Sequence, residues 1–279
     1  MISIFKGAIV ALSMLVPGVS GGTMMIVLNI YKQTIEALDG LTHGQLIHKR
    51  LMLKLITGGL IGLFGFGWIL LYLMNLSKVS MYYLFMGIVI MGAILLFKKI
   101  SLKHLKTHHI VYLIVGAIIA TSLTFLPEVS LIDFNGNLMD KLFLVIFGGV
   151  IVAIALILPG ISTSYLLLVM GLYEPSLNAI KTLDIQFLTP MAIGVVIGIL
   201  LTTRFLNWLL INHPLPTYLM IIGFMIGSIP QIFPGLPSYG GQFVRSILLL
   251  TLGIVMMVVI DFLSQKENLK EDEKKITKG

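Results

Sequence analysis

Cysteine is absent from this 279-residue chain. That excludes thiolate metal sites, redox dithiols and disulfides. Charge is scarce: Asp, Glu, Lys and Arg make up 11%, against about 25% in a soluble domain. Apolar residues fill 57%, and mean hydropathy is +1.03. Too few polar side chains remain to cover a water-soluble surface. The class is therefore integral membrane protein, which excludes a soluble enzyme and a soluble nucleic-acid binder. The formal net charge of +7 comes without a stripe of alternating basic and aromatic residues. It fits basic membrane-flanking loops and no nucleic-acid partner. The six His are scattered, and none forms the HExxH spacing of a zinc site. No metal and no cofactor is expected. Lys6 is followed by an apolar run without a small-x-small cleavage site, so the segment reads as part of the mature protein and not as a signal peptide.

A hydrocarbon core of about 30 Å takes about 20 helical residues. Apolar runs occupy 2–30, 53–75, 80–97, 110–127, 141–172, 190–211, 217–235 and 246–263. Six have the length of single spans. The runs 2–30 and 141–172 are too long for one span, and each is broken at its middle, by Pro17-Gly18 and by Pro159-Gly160. Proline removes a backbone donor and clashes with the preceding turn. Pro-Gly-x-Ser reads as the end of one half-helix and the N-cap of the next. Two readings compete: a kinked full span, or a re-entrant hairpin that enters and leaves on one side.

The two broken segments align without gaps, 142 residues apart. Pro17-Gly18-Val19-Ser20 matches Pro159-Gly160-Ile161-Ser162, Val27 matches Val169, and Tyr31 matches Tyr173. A second block aligns 136 residues apart, pairing Gly58, Gly62, Tyr82 and Gly87 with Gly194, Gly198, Tyr218 and Gly223. Apolar bias makes Leu-for-Ile matches cheap, but it does not make Pro, Gly, Ser and Tyr coincide at fixed spacing. The reading is a duplication: a first repeat over 1–128, a linker over 129–140, a second repeat over 141–263, and a tail over 264–279.

Re-entrant segments leave three full crossings per repeat, and an odd number inverts the second copy. With the N-terminus in the cytoplasm, the loops bearing Lys32, Lys49, Arg50 and Lys54, and Lys98, Lys99, Lys103 and Lys106, are cytoplasmic, as is the Lys-bearing tail. The acidic linker with Glu128, Asp133 and Asp140 falls outside. This agrees with the positive-inside rule, Lys78 and Arg245 being exceptions. Four crossings per repeat would place that linker on the side of the N-terminus and the tail, opposite the basic loops. The expected fold is therefore an all-α integral membrane protein of two inverted-topology repeats, each a re-entrant broken-helix hairpin plus three transmembrane helices. Such architecture is characteristic of transporters, with a substrate site where the breaks meet.

Each break is followed by small and hydroxyl residues: Ser20, Gly21, Gly22 and Thr23, then Ser162, Thr163 and Ser164. Facing half-helix N-termini with unpaired N–H groups form an anion site without a buried cation, suited to a phosphate or carboxylate head. The competing reading has these hydroxyls only cap helices and aid packing. Arg204 lies inside the run 190–211, where its fork could grip phosphate oxygens, or where it could snorkel to the interface. Glu174 and Glu36 are candidates for coupling or gating, with Tyr31 and Tyr173 beside them. Each has an interfacial role as its plainer reading. His213 stands alone beside Pro214, and no acidic pair sits at metal-ligand spacing inside the membrane, so enzymatic chemistry is not expected.

The stretches Pro17-Gly18-Val19-Ser20-Gly21-Gly22-Thr23 with Tyr31, and Leu158-Pro159-Gly160-Ile161-Ser162 with Gly171-Leu172-Tyr173-Glu174-Pro175, resemble the bacterial membrane family labelled domain of unknown function 368. Its members are described as polyprenyl-phosphate (undecaprenyl-phosphate) translocases. The resemblance covers about residues 5–263. It implies a flippase in the bacterial plasma membrane, with both termini cytoplasmic, that returns the lipid carrier to the inner leaflet for cell-wall polymer synthesis. Its partners would be the polyprenyl-phosphate lipid, the bilayer and, as a possibility, further copies of the chain. Thr163 departs from the family's usual glycine, which implies contact there through hydroxyls more than backbone. The alternative from the same physics is a channel or transporter for a small soluble anion.

Overall fold

The computed structural model describes residues 2–16, 19–100, 106–123, 125, 138–237 and 239–276, with Leu138, Asp140 and residues from 267 onward as backbone only. Pro17 and Gly18 lie outside the described residues. Helices dominate, and no strand occurs among the described residues. The first half contains α1 (Ile2–Met14), α2 (Gly21–Val27), α3 (Tyr31–Thr42), α4 (Lys49–Leu60), a π-helical stretch (Ile61–Phe66), α5 (Gly67–Leu76), α6 (Lys78–Lys99), a 3-10 turn (Thr107–His109) and α7 (Ile110–Leu123). The second contains α8 (Leu138–Ile157), α9 (Thr163–Val169), α10 (Tyr173–Thr182), α11 (Ile185–Asn212), α12 (Pro214–Gly227), α13 (Ile229–Ile232) and α14 (Gly240–Ile276).

Among the described residues, five helical rods have the length and apolarity to cross a membrane: Lys49–Leu76, Lys78–Lys99, Ile185–Asn212, Pro214–Ile232 and Gly240–Lys266. They cover five of the six runs expected as single spans. The sixth, 110–127, holds the 14-residue α7 among the described residues. The last helix also runs past the expected tail boundary to Ile276.

The short helices show how local sequence sets structure. α2 and α9 have seven residues each, and each is capped by a serine whose hydroxyl accepts from the amide three residues on, Ser20 from Thr23 at 3.5 Å and Ser162 from Tyr165 at 3.4 Å. Each ends at a left-handed residue, Asn29 (φ 56°) and Gly171 (φ 69°). The next amide then bonds back five residues, Ile30 to the Met25 carbonyl at 2.9 Å and Leu172 to the Leu167 carbonyl at 2.8 Å. The amphipathic helices α3 and α10 follow at Tyr31 and Tyr173.

Glycine sets the long-range packing. A Cβ at Gly58 would overlap the Ile4 carbonyl, and one at Gly62 would meet the Ala8 carbonyl at 2.7 Å. Gly194 and Gly198 stand in the same relation to Ile146 and Val150. Both members of each pair are displaced by the offsets found in the sequence. Glycines one turn apart meet residues one turn apart in the same order, so α1 runs parallel to α4, and α8 to α11. A second set crosses between the halves. Gly87 on α6 lies against Leu250 on α14, while Gly223 on α12 lies against Leu113 on α7. Gly227, one turn beyond Gly223, meets Ala117, one turn beyond Leu113, so α7 and α12 are also parallel. Small residues let helix backbones approach where lipid supplies no hydrophobic drive.

Candidate functional site

The residues that follow the first break, from Ser20 to Tyr31, meet the second break at Ile157–Gly160. α8 ends at Ile157, so its last carbonyls lack helical partners. Water is not at hand inside a membrane, and each unsatisfied backbone group costs several kcal/mol. The first half supplies the partners. Tyr31 donates its hydroxyl to the Ile157 carbonyl at 2.9 Å, and Ser20 donates to the Leu158 carbonyl at 3.2 Å. The Gly160 amide in turn donates to the Thr23 hydroxyl at 2.8 Å. Tyr31, Ser20 and Thr23 are buried.

Glycine permits this approach. A Cβ at Gly22 would stand 2.7 Å from the Ile157 carbonyl oxygen and 3.1 Å from the Pro159 nitrogen. Gly21 faces the Met14 side chain. Gly160 is fixed twice over: its φ of +77° is left-handed, and a Cβ there would overlap the Phe224 carbonyl on α12. Pro159 is buried beside it. The structure thus brings together Ser20, Gly21, Gly22, Thr23, Tyr31, Pro159 and Gly160. Ser162 caps α9 nearby, while Thr163 and Ser164, in its first turn, are half-buried.

The ionisable candidates lie elsewhere. Arg204 is exposed on α11, without an ion pair among the described residues. The packed face of that helix carries Thr203, Leu206 and Leu210, one position out of phase with Arg204. Glu174 is exposed in the first turn of α10. Tyr173, at the same helix start, is half-buried. Glu36 is tied within the first half, to Lys32 at 3.8 Å and to His48 at 3.2 Å. These four do not join the breaks.

Two hollows bear on the site, and the first reaches the junction at Leu158. An apolar groove of about 720 Å³ runs from Leu158 along α8, α11 and α12 to Tyr112, His213 and Pro216. A polar cavity of about 670 Å³ opens between α1, the start of α3 and the start of α4, and Lys6, His48, Lys49, Arg50 and Lys54 line it. The sequence reading placed these basic residues in flanking loops and missed their convergence. The signal it lacked was the parallel packing of α1 on α4, which brings residue 6 beside residues 49–54.

Residues 10–239 match the family described as undecaprenyl phosphate translocase-like, and the chain belongs to it. It is 32% identical over 243 residues to a protein of Vibrio cholerae named polyprenyl-phosphate transporter, covering 82% of this chain and 76% of that one. A protein of Staphylococcus aureus with the same name is 28% identical over 273 residues, covering 93% of this chain and 95% of its own. No solved structure matches. The family resemblance read from the paired Pro-Gly-x-Ser motifs is the same family. The chain is a multi-pass membrane protein on its apolar helices and this membership.

Proposed function

We propose that this chain transports a polyprenyl phosphate, as its named relatives do, and that it works as a flippase carrying the phosphate head from the outer to the inner leaflet for reuse in cell-wall polymer synthesis. The observation that carries the reading is the meeting of two polar helix breaks beside a lipid-sized apolar groove. The groove reaches Leu158, whose carbonyl holds the Ser20 hydroxyl. An amphipathic substrate needs both features: a polar crossing for its head and an apolar flank for its tail. A small soluble anion would have no use for the groove. A bare phosphate in hydrocarbon is prohibitively unstable, and freed amides and hydroxyls offset that cost.

The helix directions support an inverted pair of repeats. α1 and α4 are parallel although α2 and α3 intervene, so the chain has returned to its starting side. Such a return supports a re-entrant hairpin in the first half, and the parallel packing of α8 on α11 supports one in the second. Consecutive long spans reverse direction, and α7 lies parallel to α12. Tracing through, α8 runs opposite to α1. In this topology both termini are cytoplasmic, and the breaks close the path between leaflets. The phosphate head would pass Ser20, Gly21, Gly22 and Thr23 on one side and Ser162, Thr163 and Ser164 on the other. The bonds from Tyr31, Ser20 and Gly160 open to admit it.

The test is leaflet-resolved movement of a labelled polyprenyl phosphate in proteoliposomes, with radiolabelled inorganic phosphate as the parallel substrate. Lipid movement by the wild type is expected, with loss in Thr23→Val and a smaller loss in Arg204→Ala. Movement of inorganic phosphate without the lipid would replace this reading by the small-anion transporter.

A further inference from the structure

The basic cavity shares a wall with an apolar crevice. Lys6 lines both: on one flank the cavity with Lys49, Arg50 and Lys54, on the other a crevice of about 230 Å³ with Ile2, Phe5, Leu28, Ile260 and Leu263. Lys6 is only 7% exposed, so it is not a solvated loop charge of the kind the positive-inside rule describes. Lys49, Arg50 and Lys54 make no ion pair among the described residues, and Glu36 is engaged by His48 and Lys32. Asn29 and Gln33 add side-chain amides to the cavity lining. The crevice holds a further polar group. Ser264 is 4% exposed, and its hydroxyl has no hydrogen-bond partner among the described residues.

The second half erases this arrangement. At the repeat offsets, Lys6 becomes Gly148, His48 becomes Asp184, Lys49 becomes Ile185, Arg50 becomes Gln186 and Lys54 becomes Pro190. The helices at these positions are retained, since α4 and α11 start at equivalent residues, Lys49 and Ile185. The cations therefore are not a requirement of the packing.

We propose that this cavity and crevice form a docking station for a phosphomonoester with an apolar chain, the head among Lys6, Lys49, Arg50 and Lys54 and the first chain carbons against Phe5, Leu28 and Leu263. The station stands at the mouth of the first half alone, away from the break junction. This rests on the prenyl-phosphate reading, and it makes the two mouths of the path chemically unequal. A cluster of cations in a partly enclosed cavity binds a phosphate dianion by charge-assisted hydrogen bonds. The neighbouring crevice selects for a chain that free phosphate lacks.

The test uses the full-length protein in phosphatidylcholine nanodiscs, with farnesyl phosphate as the probe in equilibrium binding. The triple variant Lys49→Gln, Arg50→Gln, Lys54→Gln is expected to weaken binding by at least about tenfold, the loss of one or more charge-assisted contacts. Lys6→Gln is expected to do the same, and the triple variant guards against a folding defect at that buried site. Lys181→Gln, an exposed cation of the second half, is expected to leave affinity unchanged. Inorganic phosphate and phosphatidylglycerol are expected to compete poorly. Wild-type affinity in the triple variant overturns the station, as does an equal loss in Lys181→Gln or full competition by inorganic phosphate. Lipid transport by the wild type in the proteoliposome assay keeps the function standing whichever way the binding falls. Absence of that transport is the failure of the function itself.

Discussion

At the start of the first half's long span stand His48, Lys49, Arg50 and Lys54; at the same place in the second stand Asp184, Ile185, Gln186 and Pro190. A few turns further in, the halves agree again. Gly58 and Gly62 press on α1 as Gly194 and Gly198 press on α8. The contrast separates two kinds of constraint. Where helix backbones touch, any side chain would collide, so the copies keep glycine. Where the first half lines its basic cavity, no such contact holds the residue type, and the second half carries none of the cations.

Five variants test how far that likeness and that difference go. The largest effect is expected at Gly160→Ala, where a left-handed backbone costs about 1–2 kcal/mol for an L side chain and a Cβ also overlaps the Phe224 carbonyl. Loss of folded protein, read by thermal melting in detergent, is the expected outcome. A wild-type melting temperature would mean that the break does not need its glycine. Next come Gly58→Ala and Gly194→Ala, each expected to cost about 1–3 kcal/mol by overpacking. Their melting shifts should agree closely, and a large shift in one alone would break the equivalence of the halves.

Tyr31→Phe follows. It leaves the Ile157 carbonyl without its tyrosine donor, a loss of about 1–3 kcal/mol for a buried acceptor. Chemical denaturation and lipid transport rate should both change, and neither changing would remove Tyr31 from the junction. The smallest effect belongs to the paired substitution Ile185→Lys, Gln186→Arg, which gives the second mouth part of the first mouth's charge and leaves the Asp184 cap of α11 in place. A modest gain in farnesyl phosphate binding at unchanged stability is expected. No gain would show that charge alone does not make the station.

Much of this was legible in the residues. Pro-Gly-x-Ser marked both breaks because a proline that removes a donor, followed by a capping serine, has few other uses in an apolar run. The offsets in Gly and Ser recur as matched contacts, Gly58 and Gly62 with Gly194 and Gly198, and the Ser20 cap with the Ser162 cap. Two features were hidden for a physical reason. α3 and α10 are amphipathic and polar enough to read as loops. The partners of Tyr31 and Thr23, on Ile157 and Gly160, are backbone groups far away in sequence, and backbone groups leave no mark in a side-chain pattern. Arg204 drew attention as a charge in an apolar run, yet its phase against Thr203, Leu206 and Leu210 sets it off the packed face. The convergence of Lys6 with Lys49, Arg50 and Lys54 needed the parallel docking of α1 on α4.

The central claim is that the junction of the breaks must open for the lipid head to cross. The chain contains no cysteine, so Ser20→Cys with Leu158→Cys places a single thiol pair across the junction. The measurement is polyprenyl-phosphate movement in proteoliposomes before and after joining these thiols with a short reducible cross-linker, then again after reduction. The account predicts transport that stops on cross-linking and returns on reduction, with each single-cysteine variant unaffected by the reagent. Undiminished transport through a fully cross-linked junction would contradict it.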